Sequence, residues 1–124
     1  MSMDRPSHKE INRKIEQAKE AVSENQFSIL NPVIIAADAI ELGVDLQNIS
    51  FILIDLLEEI TPNHYAGQYP PQRSYEHDIE GYDLLAFRWL SKTLGCRVYL
   101  KFTIKGKRMW LVSLHEDRKE DQRE

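Results

Sequence analysis

Apolar residues recur along this chain with two different periods, and the change of period divides it roughly in half. Between Lys9 and Glu24, Ile11, Ile15, Ala18 and Val22 are spaced four, three and four apart with charged residues elsewhere, which predicts an amphipathic helix with one buried stripe. Phe27 to Leu30 is short enough for a strand. Asn31-Pro32 then reads as a helix N-cap followed by proline at the first helical position. Val33 to Leu42 continues as a mostly apolar helix, and Gly43 fits its C-terminal cap. Asp45 to Asn48 opens a further helix that runs through Ile49 to Glu59. Ile49, Ile52, Leu53, Leu56 and Ile60 share its buried face, Ile54 and Leu57 widen the stripe enough to predict deep burial, and Thr61-Pro62 stops it.

Beyond Pro62 the helical period disappears. His64 to Gly81 is rich in Gly, Pro and Tyr and reads as a long loop or an extended edge segment. Tyr82 to Leu90 fits either a strand or a helix, with Phe87 and Trp89 flanking Arg88 favouring a strand, and Ser91 to Gly95 reads as a turn. From Val98 to His115 the period is two. Val98, Leu100, Phe102 and Ile104 alternate with Tyr99, Lys101 and Thr103, and Trp110, Val112 and Leu114 alternate with Met109, Leu111 and Ser113. A β-hairpin follows, turning at Lys105-Gly106-Lys107. A three-residue loop pairs Phe102 with Trp110, Leu100 with Val112 and Val98 with Leu114, and so makes one face wholly apolar. A two-residue loop sets Lys101 opposite Trp110, so the three-residue loop is expected. The other face then carries Arg97 opposite His115, Tyr99 opposite Ser113, and Lys101, Leu111 and Met109 beside them. Its mixture of titratable and apolar groups suggests the half-covered floor of a cleft.

These elements predict an α+β fold, with N-terminal amphipathic helices packed on a small antiparallel β-sheet. A single domain is expected over residues 1–124, with 1–8 and 117–124 as flexible tails. No stretch approaches the roughly 20 apolar residues of a membrane span. The polar N-terminus lacks a signal-peptide core, so a cytoplasmic protein is expected. The single cysteine, Cys96, supplies neither an internal disulfide nor a zinc framework and is expected to be a small, buried or half-buried residue.

Charge sharpens the division. Residues 1–63 hold five basic and eleven acidic side chains, whereas 64–115 hold eight basic and four acidic ones, plus His64, His77 and His115. A polyanion would be repelled by the first half and attracted by the second. On the hairpin, Tyr99, Lys101, Arg97 and His115 form a set adequate for RNA cleavage without metal or cofactor. One group takes the proton from the 2′-hydroxyl, another protonates the leaving 5′-oxygen, and the cations stabilise charge on the phosphate. The same set suits a face that holds RNA without cutting it. In the loop, Tyr65, Tyr69 and Tyr75 are interleaved with Arg73, His64 and His77, a pattern that suits stacking on unpaired bases and equally suits packing a long connection. The histidines at 8, 64, 77 and 115 lack the spacing of a helical metal pair, and no metal site is expected. There is no glycine-rich phosphate loop and no nucleophile elbow.

The segments AADAIELGVDL from Ala36, HYAGQYPP from His64, RVYLKFTI from Arg97 and LVSLHE from Leu111 resemble the MqsR-type toxins, bacterial messenger-RNA endonucleases of RelE-like fold that are usually paired with an antitoxin. The resemblance covers most of residues 11–117 through short motifs. It implies a RelE-like sheet, a metal-independent ribonuclease activity and a cognate antitoxin partner. Tyr99 matches the family's active-site tyrosine, and His115 stands at a basic position of the last strand. Ala66 stands where the family has a lysine, and Tyr82 approximately where it has a glutamine. Catalysis is therefore expected from Tyr99, His115 and Lys101, and RNA binding from Arg73, Arg97, His64, Tyr65 and Tyr82. The alternative is a non-catalytic RNA- or protein-binding module on the same fold.

Overall fold

The computed structural model describes residues 7–68 and 70–117. Among the described residues three α-helices and four strands follow one another as α1 (His8–Ser23), β1 (Phe27–Ile29), α2 (Pro32–Leu42), α3 (Ile49–Glu59), β2 (Leu85–Ser91), β3 (Cys96–Lys105) and β4 (Arg108–Glu116). The fold is α+β: the helices pack on a mixed four-stranded sheet of order β1-β4-β3-β2. Strands β2, β3 and β4 are antiparallel, and β1 joins β4 in parallel, Ser28 beside Trp110.

The first helix starts earlier than its apolar pattern implied. Ser7 Oγ accepts from the Glu10 amide at 3.1 Å and Glu10 Oε1 accepts from the Ser7 amide at 3.0 Å, a reciprocal cap that draws Ser7 and His8 out of the expected tail. The rest of that tail, 1–6, lies outside the described residues, as does Tyr69. Asn31 precedes Pro32 at the start of α2 as expected, but its side chain makes no capping hydrogen bond, and Gly43 closes the helix in the left-handed conformation at φ 76°.

One face of the sheet meets α1 and α3. Ile11, Ile15, Ala18 and Val22 of α1 and Leu53, Leu56 and Leu57 of α3 are buried against Phe87, Leu100, Phe102 and Leu111. The Phe87 and Phe102 rings stack at 5.7 Å. The wide stripe expected on α3 is buried only along its centre, because Ile52 and Ile54 stay half-exposed.

The hairpin register differs from the expected one. The turn has two residues, Gly106 and Lys107, with Lys105 opposite Arg108 and Gly106 at φ 63°, where glycine avoids the Cβ clash of the left-handed region. Ile104 pairs with Met109 and Phe102 with Leu111. A β-bulge then shifts the register, so that Lys101 pairs with Ser113, Leu100 with Leu114 and Tyr99 with His115. Val112 is the extra residue. The pairs expected from a three-residue loop, Phe102 with Trp110 and Leu100 with Val112, do not form. Met109 and Leu111 face the core, fully buried, while Trp110 and Val112 are half-buried. The bulge restores the alternation in time for Leu114 to point inward and His115 outward.

The segment between α3 and β2 borders the edge of β2. Tyr65 bridges to Phe87, Arg73 bridges to Asp83, and the Ala66 amide donates to the Ala86 carbonyl. The segment also folds over the turn end of the outer sheet face. Thr103 Oγ1 donates to the Asp83 carbonyl and Lys105 Nζ to the Asp78 carbonyl, leaving Thr103 buried on that face. No helix among the described residues is long and apolar enough to cross a membrane.

Candidate functional site

Alternation along β2, β3 and β4 sends Arg88, Tyr99 and His115 to the face away from α1 and α3. Register then sets them in one row, Arg88 opposite Tyr99 and Tyr99 opposite His115. The Tyr99 and His115 rings are stacked, with centroids 5.0 Å apart and planes 24° from parallel. The Arg88 guanidinium carbon lies 4.8 Å from the Tyr99 centroid, and Lys101 Nζ, from the next row, lies 5.9 Å from it. The phenol is therefore flanked by an imidazole on one neighbouring strand and a guanidinium on the other, with an ammonium beside it, a cation–π arrangement on an aromatic that stays partly open.

Two contacts fix the ends of this row. His115 Nδ1 lies 2.9 Å from the Glu116 carbonyl oxygen, which can only accept. In the neutral ring the proton therefore sits on Nδ1 and the lone pair on Nε2. At the other end, Arg88 Nε donates to Asp117 Oδ1 at 3.2 Å, and Arg97 Nε lies 3.9 Å from Asp117 Oδ2. Asp117 was expected in the flexible tail. Its carboxylate is instead only 6% exposed, and its amide donates to the Arg97 carbonyl at 2.9 Å, so the chain is held beyond β4. The rest of that expected tail, 118–124, lies outside the described residues.

The structure thus brings together Tyr99, His115, Lys101 and Arg97 of the residues singled out by sequence, and adds Arg88. Arg88 carried a usable signal: it lies between two core-facing aromatics, so alternation alone turns it to the opposite face. Arg97 is not opposite His115 as expected: the two-residue turn and the bulge each shift β4 by one residue, so that Tyr99 takes that place, and Arg97 lies one row further, beside Leu90 of β2.

The other candidates lie elsewhere. His64 Nδ1 accepts from the Thr61 amide at 3.1 Å, and its ring is 6.4 Å from Trp89. Tyr65 meets Phe87 edge-on at 5.8 Å and donates its hydroxyl hydrogen to the Gln68 carbonyl at 2.7 Å. Trp89 and Phe87 are core-facing, so both residues sit at the helix-side edge of β2, away from the Tyr99 row. Tyr82 lies under Lys105 Nζ at 5.8 Å. It shares a cleft near the turn with Arg73, which is exposed and 3.7 Å from Asp83.

A second cleft, of about 300 Å³, opens directly beside the row. Lys101 and Ser113 are at its floor, Asn31 and Ile34 come from the start of α2, and Tyr75 and Arg73 come from the loop. Lys101 belongs to both features.

Two titratable groups are perturbed outside this site. Burial would raise the Glu59 carboxyl, but hydrogen bonds from Thr93, Trp89 and Ser91 outweigh it and hold the group at about 2. Burial, reinforced by the charge of Glu116, pushes the Cys96 thiol up, which disfavours a reactive thiolate. Among the described residues no group of three or more His, Cys, Asp or Glu could hold a metal ion.

No protein-family model matches the chain, and no curated protein matches it.

Proposed function

We propose that this chain is an endoribonuclease of the MqsR-type, RelE-like kind, cutting RNA through attack of the 2′-hydroxyl on the adjacent phosphate. The observation that supports the reading is the cross-strand row Arg88–Tyr99–His115 with Lys101 beside it. In this reading His115 Nε2, with its lone pair directed away from the Glu116 carbonyl, exchanges the proton at the nucleophile or leaving group, and Tyr99 serves the opposite oxygen. Arg88 and Lys101 stabilise the charge that develops on the phosphate. A base, an acid and two cations within one patch make a set that needs no cofactor.

The test is cleavage of single-stranded RNA by purified, folded protein in the presence of a chelator, with His115→Ala alongside. Cleavage by the wild type that falls at least 100-fold in the variant is expected. RNA left intact by the wild type overturns the activity.

A second reading, RNA binding without cleavage, is favoured by Ala66 and Tyr82 standing where the resembling family has a lysine and a glutamine. It gives binding that weakens steeply with salt and no cut product.

A cognate antitoxin is proposed as the protein partner. Val33 and Ile40 of α2 are 84% and 77% exposed, and residues 31–60 carry six carboxylates and no Lys or Arg, a surface suited to an apolar segment flanked by basic residues.

A further inference from the structure

We infer that the cleft beside Lys101 seats one unpaired nucleobase, so that the nucleotide next to the reacting phosphate is gripped before it is cut; this rests on the reading of the Tyr99 row as an RNA site. Two apolar side chains lining the cleft, Tyr75 and Ile34, are left 90% and 59% exposed. The contrast with other rings is direct: Tyr65 packs on Phe87, Tyr99 on His115, and Tyr82 lies under Lys105, whereas among the described residues Tyr75 has no ring or cation partner. An unpartnered aromatic at the rim of a cleft is the usual platform on which single-stranded bases stack.

The polar lining has the chemistry of a base edge. The Asn31 amide, which offers both donor and acceptor, is not spent on capping α2, and the Ser113 hydroxyl lies across from Lys101 on the floor. The volume, about 300 Å³, is at the lower end for small-molecule sites, enough for one planar ring system and too little for a folded segment. A bare phosphate is the poorer occupant, because Glu76 and Ile34 share the lining with the cations. Lys101 connects the two features. It lines the cleft and also lies over the Tyr99 ring, so a nucleotide with its base in the cleft directs its phosphate toward the row.

The experiment is a titration of the full chain with each of the four nucleoside 5′-monophosphates, with ribose 5-phosphate as the base-free control, read by NMR at Ile34 and by fluorescence. It is repeated on Tyr75→Ala, a change at an exposed side chain. The expected result is nucleotide binding that shifts Ile34 and weakens about 5- to 100-fold in the variant, with ribose 5-phosphate bound more weakly than any nucleotide and equally by both proteins. Absence of nucleotide binding, equal binding of nucleotide and ribose 5-phosphate, or no effect of Tyr75→Ala overturns the inference, even where the wild type cleaves RNA. Conversely, wild-type protein that binds the nucleotides through Tyr75 and leaves RNA uncut keeps the base site and overturns the activity.

Discussion

Tyr99 and His115 face one another because β4 carries one more residue than β3 between the turn and their row. Were Val112 paired instead of bulged, the register set at the Gly106-Lys107 turn would continue, pairing Lys101 with Val112 and Tyr99 with Leu114. Deleting Val112 instead closes the bulge and leaves Ser113 next after Leu111, so that Lys101–Ser113, Leu100–Leu114 and Tyr99–His115 stay paired in unbroken alternation. The variant should therefore keep its fold in denaturant melts and keep RNA cleavage. A deletion that unfolds or loses cleavage would show that the bulge itself, and not the pairing alone, aligns the row.

Removal of either ring should separate chemistry from folding. His115→Ala and Tyr99→Phe lie on the partly open face, so thermal stability should change little while the cleavage rate falls about 10²- to 10⁴-fold. Single-turnover rates at saturating protein measure this. Equal rates for all three proteins would remove Tyr99 and His115 from the mechanism.

Asp117 holds Arg88 and Arg97 from one buried carboxylate. Asp117→Asn should weaken stability by about 1–3 kcal/mol, because charge-assisted bonds are lost. Arg88→Ala should instead reduce the dependence of RNA binding on salt, by a slope of about 0.7 for a lost phosphate contact on a single strand. Binding isotherms from low to moderate salt distinguish the two.

Glu59 links stability to acid. At the end of α3 it accepts from Trp89 Nε1 at 2.8 Å, from the Thr93 amide at 2.8 Å and from the Thr93 hydroxyl at 2.6 Å. Its folded value of about 2 lies below the ordinary 4.5, so its stabilisation is complete above about pH 4.5 and is lost as pH falls toward 2. Glu59→Gln should be less stable at neutral pH and should lose less stability than the wild type between pH 5 and 2.5. Parallel urea melts at the two pH values check this.

The helices were legible because their apolar residues have one consistent spacing and their ends carry Pro32, Gly43 and Pro62 in diagnostic places. The hairpin was legible as a hairpin but not in register. Met109, Trp110, Leu111 and Val112 are four apolar residues in a row, so either parity supplies an apolar face, and pattern alone cannot place a bulge among them. Ser7 was missed because a capping box lies outside the apolar stripe. The parallel pairing of β1 with β4 was not legible, since a three-residue strand carries too few side chains to specify a neighbour far along the chain. Of the candidate site, Tyr99, Lys101, Arg97 and His115 could be read from alternation. His64 and Tyr65 could not be placed, because the loop offers no period to say which edge or face it follows; the structure puts them against Trp89 and Phe87.

The sheet order has a consequence for how the molecule comes into being. Strand β4 is the last of the four to be made, yet it sits inside the sheet, between β1 and β3. Until it is inserted, β1 has no strand to pair with, the core lacks Met109, Leu111 and Leu114, and the outer face lacks His115. Chains grow from the N-terminus, so a nascent chain short of β4 has neither a closed core nor the row. Completing the fold and arming the face are the same event.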